Sequence, residues 1–447
     1  MITLKMQLEW LEQTVLDSLA RGDINIALGL IALFVEQVGQ DSYGTGVVFG
    51  SPQLDRLCLT IGQAYAPAEM LPPGPEGSCV VTLVSELFYL GGHTHVVRDV
   101  IGACADESHV VLVTDLFNRV AVMNLDSILA TIPYRVAPAG DLRSKLEWLQ
   151  HELDALMPKR IHVFNHHPDS VIIAALSRWL KRVPVLYFHH ADHNLALGVH
   201  LPGAVHVDLH NLGYDNCRHH EGLQDNHYLP LAIDDKGRRG AGFQFLGHGY
   251  LRTCSSGTSN KFDLSYIYSY GQLLAKRLAL LAGVHIHIGN LSDDMLTSIH
   301  ASLSAVGVAK DRFIHVPHVP SLWLALHAYG VDLYINSFPL GGGRAVIEAM
   351  GSGTPLLMHL SAMSRFHCGV DLAYPSAMVW KNDEEFLQIL NAVHADGLAE
   401  HAAQARGHYE SYHTPGVMAE ELRRLRAGGG AMRPPPLYPY KIDPLQS

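Results

Sequence analysis

The sequence predicts an α/β protein of two parallel-sheet domains behind a helical extension, on three observations. Its 447 residues exceed what one hydrophobic core usually organises. Short continuous apolar runs alternate with longer stretches of helical spacing, the pattern of parallel strands covered on both faces. A polar, glycine-containing stretch, LPLAIDDKGRRGAG, interrupts that alternation, which then restarts, so it reads as a linker. The domains expected are a helical extension (1–75), a first α/β domain (76–235), a second (240–427) and a Pro-rich tail (428–447).

Taken in order, residues 1–40 have helical spacing with a break at Gly22-Asp23, and the Pro/Gly-rich APAEMLPPGPEGS closes the extension. CVVTLVSE, HVVLVTDL, RIHVFNH, VPVLYFHH and AVHVDLH read as strands of the first domain. Between them, GGHTHVVRDVIGACA reads as loop then helix, and LRSKLEWLQHELDAL and SVIIAALSRWLKR as helices. In the second domain the expected strands are FQFLGHG, VHIHIGN, RFIHVPH, VDLYINS and TPLLMHL. Its expected helices are LSYIYSYGQLLAKRLALLAG, DDMLTSIHASLSAVG, SLWLALHAYG and GGRAVIEAMGSG, followed by helical sequence to about residue 427. Ligands of open parallel sheets sit at the carboxyl ends of strands, so the candidate site lies in the post-strand loops, where the two domains would face each other.

Composition narrows the function classes. With 48% hydrophobic and 17% charged residues the chain is globular rather than disordered. A net charge of −11 without a basic stripe excludes nucleic acid as the expected partner, while one basic spot suffices for a diphosphate. Six scattered cysteines without a CxxC pair fit a reducing compartment. No leader-like apolar segment and no run of about 18 apolar residues occurs, so the expectation is a cytoplasmic protein without a transmembrane segment. The 29 histidines read as compositional bias, because no HExxH or carboxylate-paired HxxxH pattern accompanies them. No metal site is expected.

The most informative stretch is VDLYINSFPLGGGRAVIEAMGSGTPLL (331–357). A buried strand ends at Asn336-Ser337-Phe338-Pro339, and Gly341-Gly342-Gly343 then opens a helix. Glycines admit a ligand close to the backbone. A helix start offers N–H groups and a positive dipole end, with Arg344 in the first turn. A diphosphate suits that arrangement. Glu348 follows one helical turn later and suits vicinal sugar hydroxyls such as a ribose.

This segment resembles the donor site of GT-B glycosyltransferases. IEAMGSGTPLL is similar to the donor helix of the large retaining family of bacterial mannosyl- and glucosyltransferases. In that family a pair of glutamates flanks the loop. The second matches Glu348, and the first would fall at position 340, which here is Leu340. INSFPLGGGRAVIE is closer to the O-linked N-acetylglucosamine transferases and the adhesin-modifying glucosyltransferases of bacteria, which invert and lack the first glutamate. The resemblance implies two Rossmann-like domains facing each other across a cleft. It implies transfer of a hexose-type sugar from a nucleotide-diphosphate sugar, with UDP as the expected carrier, to a protein or glycan acceptor, without a catalytic metal or cofactor.

Further roles follow from the resemblance. Gly342, Gly343 and Arg344, with Lys261 and secondarily Arg252 from HGYLRTCSSGTSNKFD, would hold the diphosphate. His318, in FIHVPHVPSLW, would flank the base together with Val316 and Pro317. GGHTHVVRD resembles the glycine-rich loop beside donor and acceptor, where His93 or His95 is a candidate base. YFHHADHNLALG places His189, His190 and Asp192 near the transferred sugar, and His190 is the second catalytic candidate. The N-terminal helices are candidates for homo-oligomerisation or partner docking. A nucleotide-sugar epimerase of the same architecture and a non-catalytic partner or chaperone that kept the fold are the competing readings.

Overall fold

The computed structural model describes residues 3–40, 46–65, 77–88, 92–190, 192–430 and 432–439. The chain forms two compact units, Met1–Leu229 with Ala419–Pro434, and Pro230–Met418 with Pro435–Ser447. The division falls within the segment read as a linker. Residues 419–434, expected in the second domain and tail, instead pack with the first unit. Arg426 accounts for part of this, donating to Glu107 at 2.9 Å and Asp106 at 3.2 Å.

The first unit begins with α1 (Leu4–Ala20), α2 (Ile24–Gln40) and α3 (Pro52–Tyr65), the last of which sequence reading did not anticipate. Then come β1 (Cys79–Val84), α4 (Gly92–Ala103), β2 (Ser108–Val113), α5 (Leu125–Leu129), β3 (Tyr134–Val136), α6 (Leu142–Leu156), β4 (Arg160–Phe164) and α7 (Ser170–Ala175). β5 (Val185–His189), β6 (Val205–Asp208), α8 (Asn211–His219) and β7 (His227–Tyr228) complete it. Within the described residues the sheet is seven-stranded and parallel, in the order β3-β2-β1-β4-β5-β6-β7. Every residue of β1 is buried, as a central parallel strand requires.

The N-terminal helices belong to this core. α2 buries Ile24, Ala27, Leu28, Ile31, Val35 and Val38, one face at helical spacing, in the same cluster as β1, α6 and α7. Each large side chain so buried contributes about 1.5–3 kcal/mol. α3 packs so closely on α7 that a Cβ at Gly62 would meet the Ala174 carbonyl oxygen at 1.9 Å.

The second unit holds β8 (Leu251–Ser256), α9 (Tyr270–Leu280), β9 (Gly283–Ile288), α10 (Asp293–Ala305), β10 (Phe313–Val316), α11 (Leu322–Ala328), β11 (Leu333–Ile335), α12 (Gly343–Gly351) and β12 (Leu356–His359). α13 (Arg365–Cys368), β13 (Met378–Trp380), α14 (Asp383–Ala392) and α15 (Ala395–Tyr412) follow, and α16 (Pro415–Arg426) starts here and passes into the first unit at Ala419. Within the described residues its parallel sheet has six strands, in the order β10-β9-β8-β11-β12-β13.

FQFLGHG is not the first strand of this unit; β8 begins at Leu251 instead. The segment folds into turns, with Leu246 and Gly249 at positive φ. Asp332 accepts the Leu246 and Arg252 amides, each at 2.8 Å, so those groups need no sheet partner. The Arg239 guanidinium lies 4.2 Å from the Phe243 ring centroid and fixes the aromatic pair. α9 starts at Tyr270, later than its apolar pattern suggested. The described tail residues 432–439 hold no regular element but are anchored: the Tyr438 amide donates to Asp371 at 2.8 Å, and Arg365 donates to the Tyr438 carbonyl at 2.7 Å.

In both sheets the strand order reverses beside the first strand, between β1 and β4 and between β8 and β11. Loops leaving adjacent strands diverge there and open a crevice at the carboxyl ends.

Candidate functional site

The second unit brings several predicted residues to its reversal point. Lys261 follows β8, and the glycine loop follows β11. The Lys261 ammonium donates to the Gly341 carbonyl at 3.1 Å and would lie 3.7 Å from a Cβ at Gly342. Burial, with no carboxylate partner among the described residues, holds that ammonium below the usual lysine pKa. A cation without a counter-ion, aimed at a helix start, is the electrostatic signature of an anion site.

Close packing sets the loop. The Gly341 amide donates to the His367 carbonyl at 2.6 Å, and a Cβ on Gly341 would come 2.5 Å from the Cys368 carbonyl oxygen. No other residue fits there without moving α13. Asn336 is buried and bridges both segments, accepting from the Gly342 amide at 3.3 Å and donating to Cys368 at 3.2 Å. Ser337 Oγ donates to the Leu340 carbonyl at 2.7 Å. Gly342 is the N-cap of α12 and, having no side chain, cannot cap it itself; Gly343 and Arg344 open the helix.

Glu348 is half-buried on α12 and caps the neighbouring helix. Its Oε2 accepts the Trp323 amide at 3.0 Å, with Ser321 Oγ at 3.5 Å, at the start of α11. The loop from β10 to α11 is thereby tied to α12. His318 is exposed on that loop. Leu340, where an acidic partner would stand, offers a side chain that cannot bond a hydroxyl.

Arg252 does not join this group. It lies near the amino end of β8, where its guanidinium donates to the Tyr329 carbonyl at 2.8 Å and to Tyr250 Oη at 3.2 Å. Its expected place in a loop after the strand fails because the strand begins later than FQFLGHG.

In the first unit, His93 and His190 do meet. His93 is buried in the first turn of α4, and His190 directly follows β5; their ring centroids are 4.4 Å apart. His166, from the loop after β4, joins them at 5.1 Å from His93. Neither His93 nitrogen makes a well-aligned hydrogen bond, although the Phe164 and Glu86 carbonyls are close. Burial, then the neighbouring imidazoles, holds His93 well below the usual histidine pKa. The rings are therefore neutral at pH 7 and, while they stay buried, weak bases. Gly91, the first glycine of that motif, lies outside the described residues. His95 is half-buried on α4, and Asp192 pairs with His210 at 3.0 Å.

Beside this cluster is a pocket of about 470 Å³ at the carboxyl ends of β1, β2 and β4, lined in part by Glu86, Phe117, Arg119, His166 and Pro168. Its volume suits a small ligand or a side-chain-sized group. Burial raises the Glu86 pKa, against Arg119, whose guanidinium lies 3.1 Å away. Sequence reading missed Glu86, Arg119, His166 and Asn336. Each stands one to six residues past a strand, so the strand-end rule was the signal that could have found them.

No protein-family model and no curated protein matches the sequence. Solved structures do match. The structure of Anabaena HepE in complex with UDP superposes with a TM-score of 0.60 at 14% identity, covering 78% of this chain and 100% of that one. The apo lipopolysaccharide outer core galactosyltransferase WaaB gives 0.56 at 15% identity, covering 78% and 99%. A mutant of the O-GlcNAc transferase of Thermobaculum terrenum gives 0.51 at 14% identity, covering 94% of this chain and 83% of that one. Among the described residues no helix is long and apolar enough to cross a membrane. The two parallel sheets with their reversed strand orders have the GT-B fold that these glycosyltransferases share.

Proposed function

We propose that the chain is a glycosyltransferase that moves a hexose-type sugar from UDP to a protein or glycan acceptor without a catalytic metal. One observation carries the reading. A half-buried lysine with no carboxylate partner among the described residues and a helix start whose N-cap is a glycine converge on a glycine whose Cβ has no room, at the strand-order reversal of a GT-B fold. In this reading Lys261, Gly343 and Arg344 hold the diphosphate beside Gly342, whose own amide is taken by Asn336, and Glu348 turns its remaining oxygen to the ribose. His318, with Val316 and Pro317, flanks the base. His93 and His190 stand near the reacting carbon.

The chemistry asks little covalent work of the protein. Charge develops on the departing diphosphate, and a fixed ammonium with aligned amides stabilises it as it forms. A neutral imidazole could take the acceptor proton where a bound diphosphate or water offsets the burial that lowers its pKa. The HepE complex with UDP supports the choice of carrier only through shared fold. The six cysteines are free and buried, in keeping with a proposed cytoplasmic location.

The test is a thermal-shift and calorimetric panel of nucleoside diphosphates, followed by UDP-release assays with UDP-hexoses, with and without peptide or glycan acceptors. UDP should stabilise the protein through binding linkage, and acceptor should increase UDP release. Absence of diphosphate binding would sink the proposal. Conversion of the donor sugar with no acceptor present would favour an epimerase.

A further inference from the structure

We propose that His189, His206, Asp208 and Cys217 form a structural zinc site in the first unit. All four are buried, and one ligand atom from each lies within 4.8 Å of the others. They come from three elements: His189 ends β5, His206 and Asp208 belong to β6, and Cys217 to α8.

Three of the six ligand-atom spacings fit a small tetrahedral ion, and all six lie within 4.8 Å. His206 Nε2 and His189 Nδ1 lie 3.1 and 3.4 Å from Asp208 Oδ1, and Cys217 Sγ lies 3.3 Å from His189 Nδ1. Zinc–ligand bonds of about 2.0–2.3 Å at tetrahedral angles put nitrogen and oxygen about 3.4 Å apart, and nitrogen and sulfur about 3.6 Å. Two imidazoles, a carboxylate and a thiolate are a donor set that zinc accepts.

Hydrogen bonding around the cluster points the same way. His206 Nδ1 faces the Val199 carbonyl at 3.3 Å, an acceptor only, so that nitrogen carries the proton. In a neutral ring Nε2 then aims its lone pair at a carboxylate oxygen, which is unfavourable unless a cation lies between them. The outer contacts are those of a metal ligand: a ring N–H on a backbone carbonyl for His206, and Asn226 Nδ2 donating to the outer carboxylate oxygen of Asp208 at 2.7 Å. Zinc binding would displace the Cys217 thiol proton to solvent. Four protein ligands leave no open position, so the ion would fasten β5, β6 and α8 and perform no catalysis. It would hold the backbone one residue before His190. The sequence carried no motif for it because its members come from separate elements.

Full-length protein, purified without added metal or chelator, is assayed for metal content, then stripped and reloaded with cobalt. About one zinc per chain is expected. The cobalt form should show intense visible bands of a tetrahedral ion and a thiolate-to-metal charge-transfer band. The latter should vanish in Cys217→Ser. Stripping should lower the wild-type Tm by about 5 °C or more and leave the Cys217→Ser Tm unchanged. Substoichiometric zinc with no tetrahedral cobalt spectrum in the wild-type protein overturns the proposal. So does a Cys217→Ser protein with the same charge-transfer band. Should that variant fold poorly, the wild-type cobalt spectrum still decides.

Discussion

Replacing Lys261 by methionine tests the diphosphate site most directly, because it keeps the stem and deletes the charge. The ammonium has a carbonyl partner, the Gly341 oxygen at 3.1 Å, and no carboxylate among the described residues. Losing that bond costs about 1 kcal/mol. Removing a poorly solvated charge returns a similar amount, so the ligand-free Tm should move by no more than about 3 °C. Binding should respond differently. A charge-assisted contact to phosphate is worth about 1.5–3 kcal/mol, so the Kd for UDP should rise about 10–150-fold while that for uridine stays nearly constant. Because burial favours the neutral amine, wild-type UDP affinity should decline on the alkaline side before an ordinary lysine titrates, and the variant should show no such decline. Titration calorimetry across pH measures both. A Lys261→Met protein with lowered ligand-free stability and unchanged UDP affinity would make Lys261 a brace for the glycine loop and refute its role as an anion ligand.

Three further outcomes follow from other contacts. Gly341→Ala forces a methyl against the Cys368 carbonyl at 2.5 Å, so it should cost about 1–3 kcal/mol in urea unfolding and weaken UDP binding at least tenfold. Glu348→Ala removes the acceptor of the Trp323 amide but leaves the Ser321 cap of α11, and should cost about 0.5–1.5 kcal/mol; it should also erase the difference in affinity between UDP and its 2′-deoxy analogue, whereas a purely structural glutamate would leave that difference intact. The Glu107 carboxyl is raised by burial but more strongly lowered by Lys159, Arg426 and Arg160, to about 2 from 4.5. Its stabilisation is therefore present above about pH 4.5 and lost as pH falls toward 2. The full shift corresponds to about 3 kcal/mol, and solvent screening reduces it to about 1–2 kcal/mol. Glu107→Gln should lower unfolding free energy by that amount at pH 7, and the gap to wild type should narrow between pH 5 and 3.

Much of the architecture was legible because buried parallel strands cannot hide. CVVTLV is an almost continuous apolar run and VHIHI alternates Val/Ile with histidines that are buried as well, and β1 and most of β9 are buried accordingly. FQFLGHG misled because its aromatics serve Arg239 rather than a sheet, its Leu246 amide goes to the buried Asp332, and its Phe243, Gly247 and Gly249 amides close turns. α3 went unseen because its stabilising partners are distant in sequence: Asp55 accepts the Gly198 amide at 2.6 Å and the His200 amide at 2.8 Å. The return of residues 419–434 to the first unit depends on Arg426 finding Glu107, a pairing no local pattern encodes. Lys261 and the glycine loop were legible as types of residue after strands. That they meet at the strand-order reversal depends on sheet order, which periodicity does not give.

The glycine loop is organised before any ligand arrives. The Gly341 amide is committed to the His367 carbonyl, and the Gly342 amide to Asn336. Ser337 holds the Leu340 carbonyl, and Lys261 holds the Gly341 carbonyl. Those bonds fix the entry angle of α12 through groups that do not face an incoming anion. An anion bound there would meet the first turn of the helix, with the lysine beside it. Such a site pays little reorganisation on binding, which is what electrostatic stabilisation of a leaving group requires. Leu340 fits the same logic. With no acid at that position, the loop side chain would not oppose negative charge accumulating on a departing diphosphate, so in the proposed transfer the loop would serve the leaving group and contacts to the transferred sugar would come from elsewhere in the protein.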